Sequence, residues 1–310
     1  MEELKLDAAE STWFLRELES LDNTVYEVKY PDLEAREHVP LISGIPEWAK
    51  AYRYSTVEGF GSAKFITDMA DDLPQTNVTA EDANLRLIKA LGNSWGYDIM
   101  ELKAMAAGKV KLNAEKAKAA RRAAEELIDT TLATGSTEHG LEGLLNLTGA
   151  QTYTLADKVK GGKSWGTLAA PNATAQEIYN DLVGIAAAQV DNTDGVFTSF
   201  DILLPIAQFN LADALPFGTG LQSTPLQKAL ENRNINSIKP WHKCKTAGAG
   251  STTRMLCYKK DPEVVGGIVP MEFNMFAPQQ RNFKFIVNTM ASCGGVVLRY
   301  PKGVAQADGL

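Results

Sequence analysis

The sequence predicts an α+β protein whose N-terminal part projects from a folded body as extended elements. A long alanine-rich helical pattern occupies residues 114–134, a second, capped helix follows residue 174, and strand-like runs punctuated by turn residues fill the C-terminal third. The first ~40 residues are of another kind. They hold one amphipathic stretch around Trp13 to Leu21, and Pro31, Pro40 and Pro46 then break the chain, so an extended arm is expected.

Taken in order, residues 51–66 mix aromatic and polar side chains around Gly59 and Gly61, and residues 85–99 also read as strand, with the turn Asp71-Asp72-Leu73-Pro74 between them. A long two-stranded excursion is the expectation. Ala83, Leu87 and Leu91 also fit a helical face behind a Thr79 cap, so both readings of the second stretch stand. Asn113 then caps a rod from Ala114 to Thr134, stopped by Gly135, with Ala117, Ala120, Ala124, Leu127 and Ile128 on one side. Thr174-Ala175-Gln176-Glu177 is a capping box, and Ile178, Leu182, Ile185 and Gln189 continue that helix to about Val190. Asp194-Gly195 turns the chain into a strand from Val196 to Leu204, which Pro205 ends. Short helices through Phe209 to Leu215 and Leu226 to Glu231 follow, then strands at 254–259, 283–290 and 296–300.

The 310 residues are 45% hydrophobic and 22% charged, ordinary usage for a folded soluble chain. No run approaches the ~20 apolar residues of a membrane helix. The acidic start Met1-Glu2-Glu3-Leu4-Lys5 has no leader pattern, so a cytosolic product without membrane contact is expected. Three widely spaced cysteines fit a reducing compartment. Charge is unevenly placed: residues 1–37 hold 11 acidic and 4 basic side chains, and residues 228–310 hold 12 basic and 5 acidic. The split reads first as a solvated acidic tail beside a mildly basic surface, and more sharply as an acidic arm lying on a basic face of another copy.

Signatures of chemistry are broken or absent. Gly162-Lys163-Ser164 ends like a phosphate-binding loop, but Asp157 stands where that loop needs glycine. Lys64 and Ser223 replace the third glycine of two dinucleotide-like patterns. His38, His139 and His242 sit in no protease or hydrolase motif. His242, Cys244, Cys257 and Cys293 are the ligand types of a structural zinc site. Yet Cys257 and Cys293 are isolated, and Met255 and Cys257 alternate with Leu256 and Tyr258 as core strand residues do. Trp241 among Lys239, Lys243 and Lys245 has the mix that can grip single-stranded nucleic acid, although such a stretch alone is more often a solvated loop with one packed aromatic. No catalytic residue, cofactor or metal site is expected, and a structural protein is expected over an enzyme.

Several segments in order resemble the major capsid proteins of tailed bacteriophages, the Hong Kong 97-type fold shared with encapsulins. Tyr97-Asp98-Ile99-Met100-Glu101-Leu102, then Gly108 and Asn113 to Arg122, resemble the strand, short helix and alanine-rich spine of those shells. Gly140-Leu141-Glu142-Gly143-Leu144-Leu145-Asn146 resembles the connection after the spine. Gly294 to Pro301, with Asp308-Gly309-Leu310, resembles the closing strand of one capsid branch. The resemblance implies an N-terminal arm at 1–50, an extended loop at 51–100, spine helix and peripheral domain at 101–190, an axial domain at 191–255, and a peripheral return at 256–310. It further implies hexamers and pentamers tiling an icosahedral head around packaged double-stranded DNA, with portal and possible scaffolding or cement proteins as partners. Such a head is assembled in the bacterial cytoplasm and ends in the virion. An encapsulin-like compartment is the nearest alternative, and an α+β hydrolase or zinc-binding enzyme the alternative from another class.

Overall fold

The structure, a computed structural model, describes residues 31–65, 72, 74–106, 112–217 and 223–310. The amphipathic stretch around Trp13 to Leu21 lies outside them. Residues 33–310 form one compact unit. Its centre is a five-stranded sheet in the order β6-β15-β9-β7-β8, made of β6 (Gln151–Thr152), β7 (Phe200–Leu204), β8 (Ile235–Pro240), β9 (Arg254–Tyr258) and β15 (Val304–Asp308). β7 pairs parallel with β8 and antiparallel with β9, and β15 pairs antiparallel with β9 and parallel with β6.

Every residue of β7 and β9 is buried, and both strands are apolar on both faces except at Asp201, which accepts from Asn236 and Ser237, and Arg254, which pairs with Asp308. Their alternation feeds two cores. Phe200, Ile202, Leu204, Met255 and Cys257 join a cluster covered by helices. Leu203, Leu256 and Tyr258 join the cluster on the other side. Three helices cover the first face: α4 (Ala175–Asn192), α5 (Ile206–Ala214) and α6 (Pro225–Leu230). The Thr174–Glu177 capping box expected at α4 is present, and Thr224 with Gln227 makes a second one at α6. The expected turn is present, with Asp194 at φ 50° and Gly195 at φ 77°, but β7 begins only at Phe200 rather than Val196.

The second core lies under α3 (Leu112–Thr134), which starts just before the expected cap Asn113 and ends at Gly135. Gly135 has φ 75°, and a Cβ there would lie 2.3 Å from the Leu141 carbonyl, so only glycine fits this stop. Ile128, Leu132 and Ala133 are fully buried and Ala120 nearly so. Leu127, expected on the same side, points to solvent, because the buried stripe follows Ala120, Ile128 and Leu132 around the 3.6-residue turn.

α3 packs on a second, antiparallel sheet of β3 (Lys89–Asp98), β11 (Met271–Met275), β12 (Gln279–Arg281) and β13 (Lys284–Cys293). β3 and β13 run in unbroken register from Lys89↔Cys293 to Asp98↔Lys284. The Asn93 side-chain amide donates to the Ala120 carbonyl at 2.7 Å, fixing rod to sheet. Ahead of this sheet, β1 (Ala51–Phe60) and β2 (Asn77–Leu87) form the expected excursion. Its return strand is residues 77–87, however. Residues 89–98 leave it to pair with β13, so the stretch read as 85–99 divides between two sheets, and the helical alternative does not occur. A small sheet of β10 (Val265–Ile268) and β14 (Gly295–Leu298) closes the body, and α2 (Ile99–Ala106) follows β3.

A four-residue helix, α1 (Ala35–His38), fastens the start of this unit. The Ala35 amide donates to Asp129 Oδ1 of α3 at 2.8 Å, and Asp129 also pairs with Lys243 at 2.6 Å. Arg36 bridges Glu125 of α3 at 3.0 Å and Glu272 of β11 at 2.9 Å, and Glu37 pairs with Lys239. The Tyr258 hydroxyl donates to the His38 carbonyl at 2.7 Å, and the His38 ring packs on Trp241 at 4.8 Å.

Two buried charges lie in the helix-covered core. Lys158 Nζ meets Asp181 Oδ2 at 2.5 Å, the same oxygen accepts from Trp165 Nε1 at 2.7 Å, and Lys158 also donates to the Ala156 carbonyl. Removing one partner strands the other, so Asp181→Ala should cost about 3–5 kcal/mol, whereas Lys158→Met with Asp181→Leu should recover most of that in urea unfolding. On α3, Ala120→Leu should overpack the β3 crossing by about 1–3 kcal/mol. Ala123→Leu, on the exposed side, should stay within about 0.5 kcal/mol. Burial holds the His38 imidazole down at about 4 from its ordinary 6.5. The unfolded chain therefore binds the extra proton first, and stability should fall as pH drops from 6.5 towards 4, a slope that His38→Gln should reduce in pH-dependent melting.

Candidate assembly surfaces

The residues with the chemistry of a zinc site do not converge. His242 is half-exposed, with Nδ1 3.9 Å from Glu34 Oε2. Cys244 and Cys293 are buried in the core under α3, while Cys257 belongs to the core across the sheet. Burial pushes the Cys244 thiol up to about 12 and raises Cys257 and Cys293 as well, so all three stay protonated and act as small apolar groups. Among the described residues no group of three or more histidine, cysteine or acidic side chains is placed to hold a metal.

The aromatic and basic stretch at 238–245 is also committed internally. Trp241 is fully buried against His38 and cannot stack on a base. Lys239 and Lys243 are paired with Glu37 and Asp129. Arg254 grips Asp308 through two contacts, at 2.6 and 2.7 Å, and Lys228 pairs with Glu231. Part of the positive charge that the sequence places in residues 228–310 is thus balanced inside one subunit. Gly162-Lys163-Ser164 lies in an exposed turn held by the Lys158 amide on the Gly162 carbonyl.

The conspicuous surface chemistry is apolar. The root of the β1–β2 hairpin is fixed to the body: Tyr54 Oη donates to the Leu298 carbonyl at 2.9 Å, Arg299 donates to Tyr52 Oη at 2.6 Å, and Arg86 pairs with Glu142 at 2.7 Å. Tyr52, Tyr54 and Arg86 lie on one face of the hairpin. By the strand register, Val57, Val78, Leu85 and Leu87 share the other, where all four are exposed, Val78 by 70%. Phe65 beyond the strand end is fully exposed. A second patch sits at the far end of the β3–β13 sheet, where Phe283 is 78% exposed beside the start of α2, which carries Met100 and Leu102. These side chains escape sequence reading because strand alternation shows which residues share a face, not which face the fold leaves bare.

So much exposed apolar surface on projecting elements marks contact sites for other chains. Among the described residues no helix is long and apolar enough to cross a membrane. Comparison with known proteins gives the same class. The capsid of Myoviridae phage XM1 superposes with a TM-score of 0.80 over 100% of both chains at 17% identity. Mycobacterium phage Bobi gives 0.62 over 98% of this chain and 100% of the other at 13% identity. The SrpI encapsulin complex from Synechococcus elongatus gives 0.56 over 98% and 96% at 14% identity. No match is found among curated protein sequences. The fold is that of the Hong Kong 97-like capsid subunits, and the sequence model of the major capsid protein family matches residues 61–310, so the chain belongs to that family.

Proposed function

We propose that the chain tiles the icosahedral head of a tailed double-stranded DNA phage as hexamers and pentamers, and that its work is mechanical, without a catalytic or cofactor step. The observation that carries this is the hairpin: its root is bonded to its own subunit, yet the apolar side chains of its outer face are exposed among the described residues. An apolar face of this kind on a projecting element needs a neighbouring copy, and head-to-tail contacts that close by rotation make rings. In this reading residues 1–50 are the arm, 51–100 the extended loop, 101–190 the spine and peripheral domain, 191–255 the axial domain and 256–310 the peripheral return. As continuous segments they cut through secondary structure, since residue 190 lies within α4 and residue 255 within β9. The shell would form in the bacterial cytoplasm and persist in the virion, with portal, scaffolding or cement proteins as partners and packaged DNA contacted without sequence preference.

Negative-stain microscopy of the purified chain should show rings or closed shells. A strictly monomeric sedimentation profile across protein and salt concentrations, unchanged by coexpressed partners, would overturn the reading. Val57→Asp with Val78→Asp, both exposed, should leave melting within about 0.5 kcal/mol per site while abolishing shells.

A further inference from the structure

α1 is a single turn, too short to persist as a helix alone, so its shape depends on docking. Its apolar grip is small, with only Ala35 and the following Val39 fully buried, and its ion pairs reach α3, β11 and β8. Just beyond it the chain is tied differently. The Gly267 amide donates to the Pro40 carbonyl at 2.8 Å, and the Ile42 amide donates to the Gly267 carbonyl at 2.9 Å. These backbone bonds involve no ionisable group, so the charged fastening of α1 ends at a bridge that pH does not touch.

His38 is the buried ionisable group of α1. It is 4% exposed, its ring packs on the fully buried Trp241, and among the described residues neither His38 Nε2 nor Trp241 Nε1 has a hydrogen-bond partner. Both nitrogens of an imidazolium carry protons, so in the charged form Nε2 becomes a buried donor without an acceptor, beside an indole that can only donate. The charges facing the ring are divided. Glu37 on α1 and Asp129 on α3 favour the imidazolium, whereas Lys239 on β8 and Lys260 past the end of β9 oppose it. Burial decides the balance and keeps the ring neutral. Two neighbouring groups do not share this response to acid. Lys239 holds the Glu37 carboxyl below its ordinary range, and a proton gained by His242, 3.9 Å from Glu34, would add attraction.

We propose that α1 is an acid-released clasp: when His38 takes up a proton, residues 34–39 leave the body as far as the Pro40–Gly267 bridge, while both cores stay folded. Release lets the imidazolium reach water, which the docked form denies it. The clasp lies within one chain, so it stands apart from the capsid reading. Hydrogen exchange of the full-length chain, corrected for the intrinsic dependence of exchange on pH, tests it. The reporters are the amide of Ala35, bonded to Asp129 Oδ1, and the amide of Val39, bonded to the Ala35 carbonyl. The fall of the His38 ring from 6.5 to about 4 on docking should reduce their protection by about tenfold or more between pH 7 and pH 5. Over the same range β7 and β9 should keep theirs. His38→Phe retains an aromatic ring for Trp241 and cannot titrate, and His38→Gln is smaller and equally unable to titrate. At least one of the two should keep at pH 5 the protection that the unmodified chain has at pH 7. Protection of Ala35 and Val39 unchanged by pH, a fall shared by β7 and β9, or variants no better protected at pH 5 than the unmodified chain would each overturn the proposal. The readout needs no shells, so its failure and that of the capsid reading are separate results.

Discussion

The structure depends on one shared wall. β7 and β9 are buried on both faces, and successive side chains along them serve opposite cores, so Ile202 and Cys257 pack under the helices while Leu203 and Leu256 pack under α3. A one-residue slip of either strand would exchange the two sets and damage both cores together. Register is therefore held strongly, and everything hung on the cores inherits that precision. Tyr258, at the end of β9, bonds the His38 carbonyl and so reaches from this wall to the helix that anchors the N-terminal side of the unit.

Elements whose stability is local were legible in the sequence. The α4 capping box is a four-residue signal, and α3 with its glycine stop needs only propensity and one left-handed residue. Elements that exist because of a distant partner were not. β8 was hidden because its Lys239 and the Trp241 that follows it suggest a solvated loop until β7 lies beside the strand and His38 covers the indole. β15 is five residues that mean little apart from β9, and β10, β11 and β12 are similarly short. Lys158 and Asp181 look like surface charges because no spacing rule joins positions 23 apart that meet only after the chain has turned. Leu127 failed for a simpler reason: the breadth of an apolar stripe on a helix is set by what covers it, and β3 and β13 cover a narrow one.

The candidate surfaces follow the same division. The hairpin was readable as an excursion, but its return strand was misplaced, because residues 85–99 form one β-prone run that the fold cuts at Ile88 between two sheets. Fastening the root with Tyr52, Tyr54 and Arg86 while leaving Val57 and Val78 bare separates two tasks within one ribbon. One face sets the angle at which the ribbon leaves the body, and the other is free to meet a neighbour without disturbing that angle. The cysteines make the opposite point: their residue types suggested a ligand set, and the sheet that runs between Cys257 and the other two keeps them apart.

The position of β15 has a consequence for the order of events during synthesis. It lies between β6 and β9, clamped by Arg254 on Asp308, and it supplies Ala305 and Ala307 to one core and Val304 to the other. Until residues 304–308 leave the ribosome, the central sheet lacks an interior strand and neither core can close. A nascent chain can display its hairpin early, but it has no finished body to hold that hairpin at a fixed angle. A chain without that strand offers a neighbour a hairpin but not the finished body that sets its angle.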